Sequence, residues 1–216
     1  MNALLFNATP LLPHDTVQGL GLLLSWGLVL ATSAVWALRR WSRITPVQSK
    51  VLLAALIAWC FMAGPVAPSY WLGLAFQVPS LGTVLLCIWY LRNFWRGQPT
   101  SQEFSRGLLT ICGAGVLIGW LLLLDMLAWL PWQIYAMGFS PLVVAALLFI
   151  ALLPWMLLGR SAMSDDRTWI APLAVVIFVA IRWPSGNVWD AVLDPWLWLL
   201  LNGFAIRSIW KQKSAV

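Results

Sequence analysis

From Val17 to Trp210 the chain repeats one pattern: an apolar run, a short polar interruption, and another apolar run. A helix needs about 20 residues to cross a hydrocarbon layer of about 30 Å, and the runs are close to that length. Runs of this kind in series must cover their apolar faces with one another or with lipid. Charge decides between those outcomes. Only 9% of the 216 residues are charged and 62% are hydrophobic, whereas a soluble domain carries about 25% charged residues. Too few polar side chains remain to build a water-facing surface. The expected fold is therefore all-α, a polytopic transmembrane helix bundle formed by residues 1–216 as a single domain.

Seven spans are expected, at 17–38, 46–63, 71–91, 107–127, 141–158, 168–182 and 195–210. The basic residues test that division. It places Arg39, Arg40, Arg43, Lys50, Arg92, Arg96, Arg106, Arg160, Arg167, Arg207, Lys211 and Lys213 on one side and Arg182 on the other, 12 against 1. Cytoplasmic loops are where Lys and Arg accumulate, so the N-terminus is expected outside and the C-terminus inside. Were the sixth run not to cross, the split would weaken to 9 against 4. The net charge of +6 then reads as a collar facing anionic lipid and needs no nucleic acid. The expected location is the plasma membrane, the inner one in a Gram-negative cell. The first sixteen residues lack Lys and Arg, and Pro10 and Pro13 interrupt them, which argues against a signal peptide. Asn7-Ala8-Thr9 matches a glycosylation acceptor, a pattern short enough to arise by chance.

Helix-start signals fall at the same boundaries. Asp15-x-x-Gln18, Thr45-Pro46-x-Gln48 and Thr100-x-x-Glu103 resemble capping boxes, and Ser140-Pro141 and Asp194-Pro195 open the fifth and seventh spans. Most of the 17 tryptophans fall near span ends, where an amphipathic indole suits an interface. Trp26, Trp59 and Trp120 lie nearer mid-membrane, so each indole N–H there is expected to find a partner on another helix. Gly115-x-x-x-Gly119 permits a close helix contact in the fourth span.

A repeat is visible in outline. Pro68-Ser69, Pro79 and Arg92-x-x-Trp95 are echoed by Pro184-Ser185, Pro195 and Arg207-x-x-Trp210. Spans three and seven would then be equivalent, giving parallel repeats in a three-plus-one-plus-three arrangement. Prolines interrupting helices at matching positions point to transporter binding sites. This makes Gln77, Pro79, Asp194 and Pro195 candidate binding positions at broken helices, although inter-helix packing is the preferred role for Gln77. The sugar transporters called SWEETs resemble this outline, but none of their sequence signatures is present, so the likeness is one of fold outline alone.

With 7 acidic residues, each can be weighed. Asp15, Glu103 and Asp194 serve as caps, and Asp165 and Asp166 precede the sixth span, where the helix dipole favours negative charge. Asp125 lies toward the outer end of the fourth span, on a face continuing to Trp129 and Trp132. Asp190 and Asp194 are four apart and would share a helical face. Asp125, Arg182 and Asp190, with Trp129 and Trp132, therefore form a candidate outer-mouth binding cluster. A salt bridge from Arg182 to Asp190 or Asp125 is the plainer expectation. Gln77, Asn202, Ser25, Thr32, Ser33, Ser80, Thr83 and Thr110 are expected to hydrogen-bond between helices.

Catalytic chemistry has little footing. His14 is the sole histidine, and Cys60, Cys87 and Cys112 are scattered through apolar runs without metal-ligand spacing. No Walker loop occurs, and no lysine sits mid-helix to hold a retinal Schiff base. No cofactor or metal is expected. The leading expectation is a non-catalytic membrane subunit working through helix contacts with lipid, a partner membrane protein or another copy of itself. The alternatives are a small transporter for an apolar or weakly polar solute and, behind it, a lipid-modifying enzyme of the outer leaflet.

Overall fold

Most helix starts sit where a side chain can satisfy the orphan N–H groups of the first turn. The computed structural model describes residues 11–98, 105–159 and 165–213. Among them are ten α-helices and two 3-10 turns, with no strand. Helix α1 is Asp15–Trp41 and α2 is Pro46–Cys60. A 3-10 turn at Gly64–Val66 leads to α3, Pro68–Phe76, and then to α4, Leu81–Trp95. Helix α5 is Arg106–Met126, α6 is the single turn Ile134–Met137, and α7 is Pro141–Leu158. A second 3-10 turn, Asp166–Trp169, runs into α8, Ile170–Ile181. Helix α9 is Val188–Val192 and α10 is Pro195–Lys213.

The capping box at Thr45 and Gln48 is complete, with reciprocal bonds of 2.8 and 3.2 Å. Ser140 caps α7 and Asp194 caps α10, the latter accepting from the N–H of Leu197 at 2.7 Å. Two starts differ from expectation. His14, not Asp15, caps α1, and Asp15 lies in the first turn, where its charge still favours the dipole. Ser105 caps α5 by accepting from Leu108; Thr100 and Glu103 lie outside the described residues, as do Asn7, Ala8, Thr9 and Arg160.

The third run is not one helix. Pro79 lacks an N–H and forces the preceding residue out of the helical region, so α3 stops at Phe76. Gln77 takes φ 59°, ψ −135°, and α4 starts afresh from Ser80. The last run divides in the same manner: α9 ends at Val192, Leu193 is extended, and α10 begins after Asp194. Both halves thus carry a short helix, a break and a long helix. The symmetry does not extend to packing, since α4 lies against α1 and α8 whereas α10 lies against α5.

Contacts between helix ends and the turns beside them show which ends lie together. Arg39 reaches Tyr90 and the Phe94 ring, the Trp95 indole donates to Ser49 at 2.8 Å, Trp155 donates to Thr168, and Ser105 bonds Asp165. These residues gather at one end of the bundle, here the basic end. Asp125, Tyr135, Asn187 and Asp190 meet at the opposite end. Helix α8 travels between the two ends, from Arg167 beside Trp89 to Trp183 against Gly21. Helix α10 runs antiparallel to α5: Trp198 covers Gly119 and Leu201 covers Gly115, and a Cβ on Gly119 would lie 2.1 Å from Trp198. The close contact foreseen for that glycine pair is therefore real.

The core centres on Leu81, Val144, Leu147, Val175, Phe178 and Val188, where α4, α7, α8 and α9 converge. Outside it the surface is apolar, with Leu117 66% and Leu157 74% exposed. Helices α1 and α5 are long and apolar enough to cross a membrane by length and composition; α2 and α7 are shorter apolar helices.

Candidate functional site: a shared helix cap and a polar clamp

The two helix breaks meet at one carboxylate. Asp194 Oδ1 accepts from the N–H of Leu197, opening α10, while Oδ2 accepts from the N–H of Ser80 at 2.9 Å and the hydroxyl of Thr83 at 2.6 Å, opening α4. One side chain thereby serves two helix N-termini, whose partial positive charges both favour an anion at that point. Gly82 makes the approach feasible, because a Cβ there would lie 2.4 Å from the carbonyl oxygen of Val192. The Gln77 carbonyl accepts from the Trp26 indole at 2.8 Å, and Phe76 stacks edge-on against Trp196. The packing role preferred for the Gln77 side chain is not what is found: that side chain is exposed, and it is the backbone carbonyl that bonds. Pro79 is buried and Pro195 is the exposed first residue of α10.

The second group lies at the end opposite the basic residues. Asp125 accepts from the N–H of Tyr135 at 2.8 Å, and the Tyr135 hydroxyl donates to Asp190 at 2.7 Å. Ser185 donates to the same oxygen of Asp190. Burial raises the Tyr135 pKa above its ordinary value, and the hydrogen bond to Asp190 and its negative charge raise it further. Asn187, fully buried, donates to the Tyr135 carbonyl at 2.9 Å and accepts from the N–H of Trp189. Val188 donates to the Gly138 carbonyl and the Trp189 indole to that of Ile134. Residues 185–190 are thus clamped to residues 134–138.

Of the expected outer-mouth cluster, Asp125 and Asp190 are brought together, but through Tyr135. Arg182 stands apart. Its backbone is left-handed at φ 56°, its guanidinium lies 5.3 Å from the centre of the Phe178 ring, and among the described residues it forms no salt bridge with Asp125 or Asp190. Trp129 and Trp132 are 73% and 62% exposed and do not line an enclosed mouth. Asp194 shares no helical face with Asp190, because α9 ends two residues before it. The signals for Tyr135, Ser185 and Asn187 are weak in sequence: a Pro-Ser-Gly-Asn turn and one tyrosine in a loop.

Hydrogen bonding inside the bundle is more local than expected. Ser25, Thr32 and Thr110 bond carbonyls of their own helices, a common refuge for a hydroxyl in a helix, and Thr32 also bonds Cys87 of α4. Asn202 does bridge helices, accepting from Trp120 at 3.2 Å. All three mid-run indoles have partners, but that of Trp59 is the Val66 carbonyl in the turn after its own helix rather than another helix, and Trp59 and Trp120 are half exposed. The three cysteines are free, and no group of His, Cys, Asp and Glu suited to a metal occurs among the described residues.

Sequence reasoning missed a buried ion pair at the basic end. Arg167 donates to both oxygens of Asp165 at 2.8 Å, its guanidinium packed over Trp89. Burial raises the Asp165 pKa, but the hydrogen bonds and charge of Arg167, with a bond from Ser105, outweigh it and hold the carboxyl below its usual range. No family model, curated protein or solved structure matches the chain.

Proposed function

We propose that the chain is an integral membrane protein of seven crossings, N-terminus outside and basic end in the cytoplasm. It acts as a non-catalytic subunit through contacts of its helices with lipid or a partner membrane protein. The observation that carries this is the openness of its apolar helices. Only 17% of the apolar stretch of α5 and 28% of that of α1 is buried within the fold. A core helix of a soluble protein would be covered, and exposed apolar surface of this extent marks a face that lipid or protein must cover. Helix α1 also packs against α2, α3 and α4.

The polar groups support the same reading. Asp125, Asp190 and Asp194 are engaged in holding helix ends and loops, and the His14 side chain caps α1.

Two measurements test the proposal. Ser42→Cys is expected to resist a membrane-impermeant maleimide in intact cells, while Trp132→Cys is labelled; the reverse pattern would overturn the orientation. Purification in mild detergent is expected to recover a stoichiometric membrane partner or a defined homo-oligomer. A lone monomer that drives solute uptake in liposomes would establish transport instead. That second reading draws on one observation, the meeting of two proline-marked helix breaks at Asp194.

A further inference from the structure

We infer that the cleft between α4 and α8 at the basic end holds one phospholipid of the ethanolamine class, its chain between the helices and its headgroup across Arg92 and Asp166. The inference rests on the membrane reading above. The cleft is a half-open groove of about 240 Å³. Leu85 and Ile88 of α4 face Ile170 and Leu173 of α8 across it, an apolar wall on each side. One turn further toward the basic end the lining changes to Trp89, Trp169, Arg92 and Asp166. Apolar depth with indoles and charges at the rim is the order of layers that a lipid presents, from chain to interface to headgroup.

The charges at the rim select the headgroup. Arg92 and Asp166 are 3.4 Å apart, with side chains 48% and 58% exposed. An exposed pair of this kind contributes little, because water and salt screen it, so a headgroup can part it at little cost. The neighbouring Arg167 is already matched by Asp165, which leaves one cation and one anion at the mouth. A phosphate joined to a primary ammonium meets both, the phosphate on the guanidinium and the ammonium donating to the carboxylate. A choline headgroup offers Asp166 no N–H, and a glycerol headgroup offers it no cation.

Native mass spectrometry of the full chain in detergent, with dioleoyl phosphatidylethanolamine, phosphatidylcholine and phosphatidylglycerol at equal concentrations, tests the assignment. One ethanolamine adduct is expected, about tenfold more abundant than the choline adduct, the scale of one charge-assisted hydrogen bond. Asp166→Asn should abolish that preference, and Arg92→Gln should weaken retention of the ethanolamine lipid. Leu173→Trp should remove the adduct by filling the chain space while leaving both charges in place, which decides the matter if a charge variant fails to fold. Equal retention of the ethanolamine and choline lipids, preference for the glycerol lipid, or retention undiminished by Leu173→Trp would overturn the inference. A chain stripped from membranes by alkaline carbonate would instead defeat the membrane reading. One that resists the wash yet keeps no ethanolamine lipid defeats only this inference.

Discussion

At the end of the bundle that carries Asp125 and Asp190, the carboxylates accept from hydroxyl and backbone N–H groups. At the basic end, Asp165 and Asp166 face guanidinium groups. The same residue type thus performs two jobs. A carboxylate that caps a helix or clamps a loop holds chain geometry and needs no cation. A carboxylate set against arginine balances charge, and its contribution depends on burial: Asp165, which also accepts from the Arg167 N–H and so caps the turn at 166–169, is buried with its arginine, whereas Asp166 and Arg92 are half open. Substitutions at the two ends should therefore fail differently.

The largest effect is expected at Asp165. Asp165→Asn removes the charge facing a buried guanidinium, a loss of about 3–5 kcal/mol for buried pairs, read as a fall in melting temperature in detergent. The pH dependence follows from the depressed pKa. The native carboxyl is held below the unfolded value of about 3.9, so its contribution is present above that value and lost as pH falls through the native one. The gap between wild type and Asp165→Asn should stay constant from pH 8 to pH 5 and close in stronger acid. A gap that closes near neutrality would assign the stability to another group.

Next comes Asp194→Ala, which strips acceptors from Ser80, Thr83 and Leu197 together. With about 1 kcal/mol for a typical cap and two helices affected, a loss of about 2–3 kcal/mol is expected. Asp194→Asn should retain part of it. Hydrogen exchange should rise at the first turns of both α4 and α10. Exchange confined to α10 would dissolve the shared cap into an ordinary one.

These two sites also mark how far the fold could be read from sequence. Caps at Thr45, Ser140 and Asp194 were legible because a cap is local: the side chain and the N–H groups it serves lie within three residues. The glycine pair facing Trp198 and Leu201 was legible for a similar reason, since small residues one turn apart admit a neighbour whatever that neighbour is. Pro79 announced the break in the third run, yet the hydropathy around it argued for one continuous helix, and the proline's missing donor won. The bond from Tyr135 to Asp190 spans 55 residues, a distance at which no local pattern operates. The pairing of Asp165 with Arg167 was hidden differently. Residues two apart do not face each other on a helix, but here they sit in the capped turn before one.

A smaller effect is expected at the clamp. Tyr135→Phe removes one hydroxyl donor from Asp190, which keeps Ser185, so about 1 kcal/mol should be lost at neutral pH. The native Tyr135 pKa lies above the unfolded value of about 10. Its contribution is therefore full below that value and disappears as pH rises through the native one. The difference between wild type and Tyr135→Phe should narrow only in strong alkali. A difference that persists there would mean the ring's packing matters more than its hydroxyl.

The smallest effect completes the contrast between buried and open charge. Arg92→Gln removes a pair in which both side chains are about half exposed, and water replaces most of what is lost. A change within about 0.5 kcal/mol is expected in detergent without added lipid. Adding phosphatidylethanolamine should raise the melting temperature of the wild type and leave Arg92→Gln nearly unmoved, because a ligand that binds only the folded state stabilises in proportion to its occupancy. If Arg92→Gln were instead as damaging as Asp165→Asn without lipid, the open rim would be structural. The two carboxylates of the basic end would then differ only in degree, and the cleft would lose its claim to a headgroup.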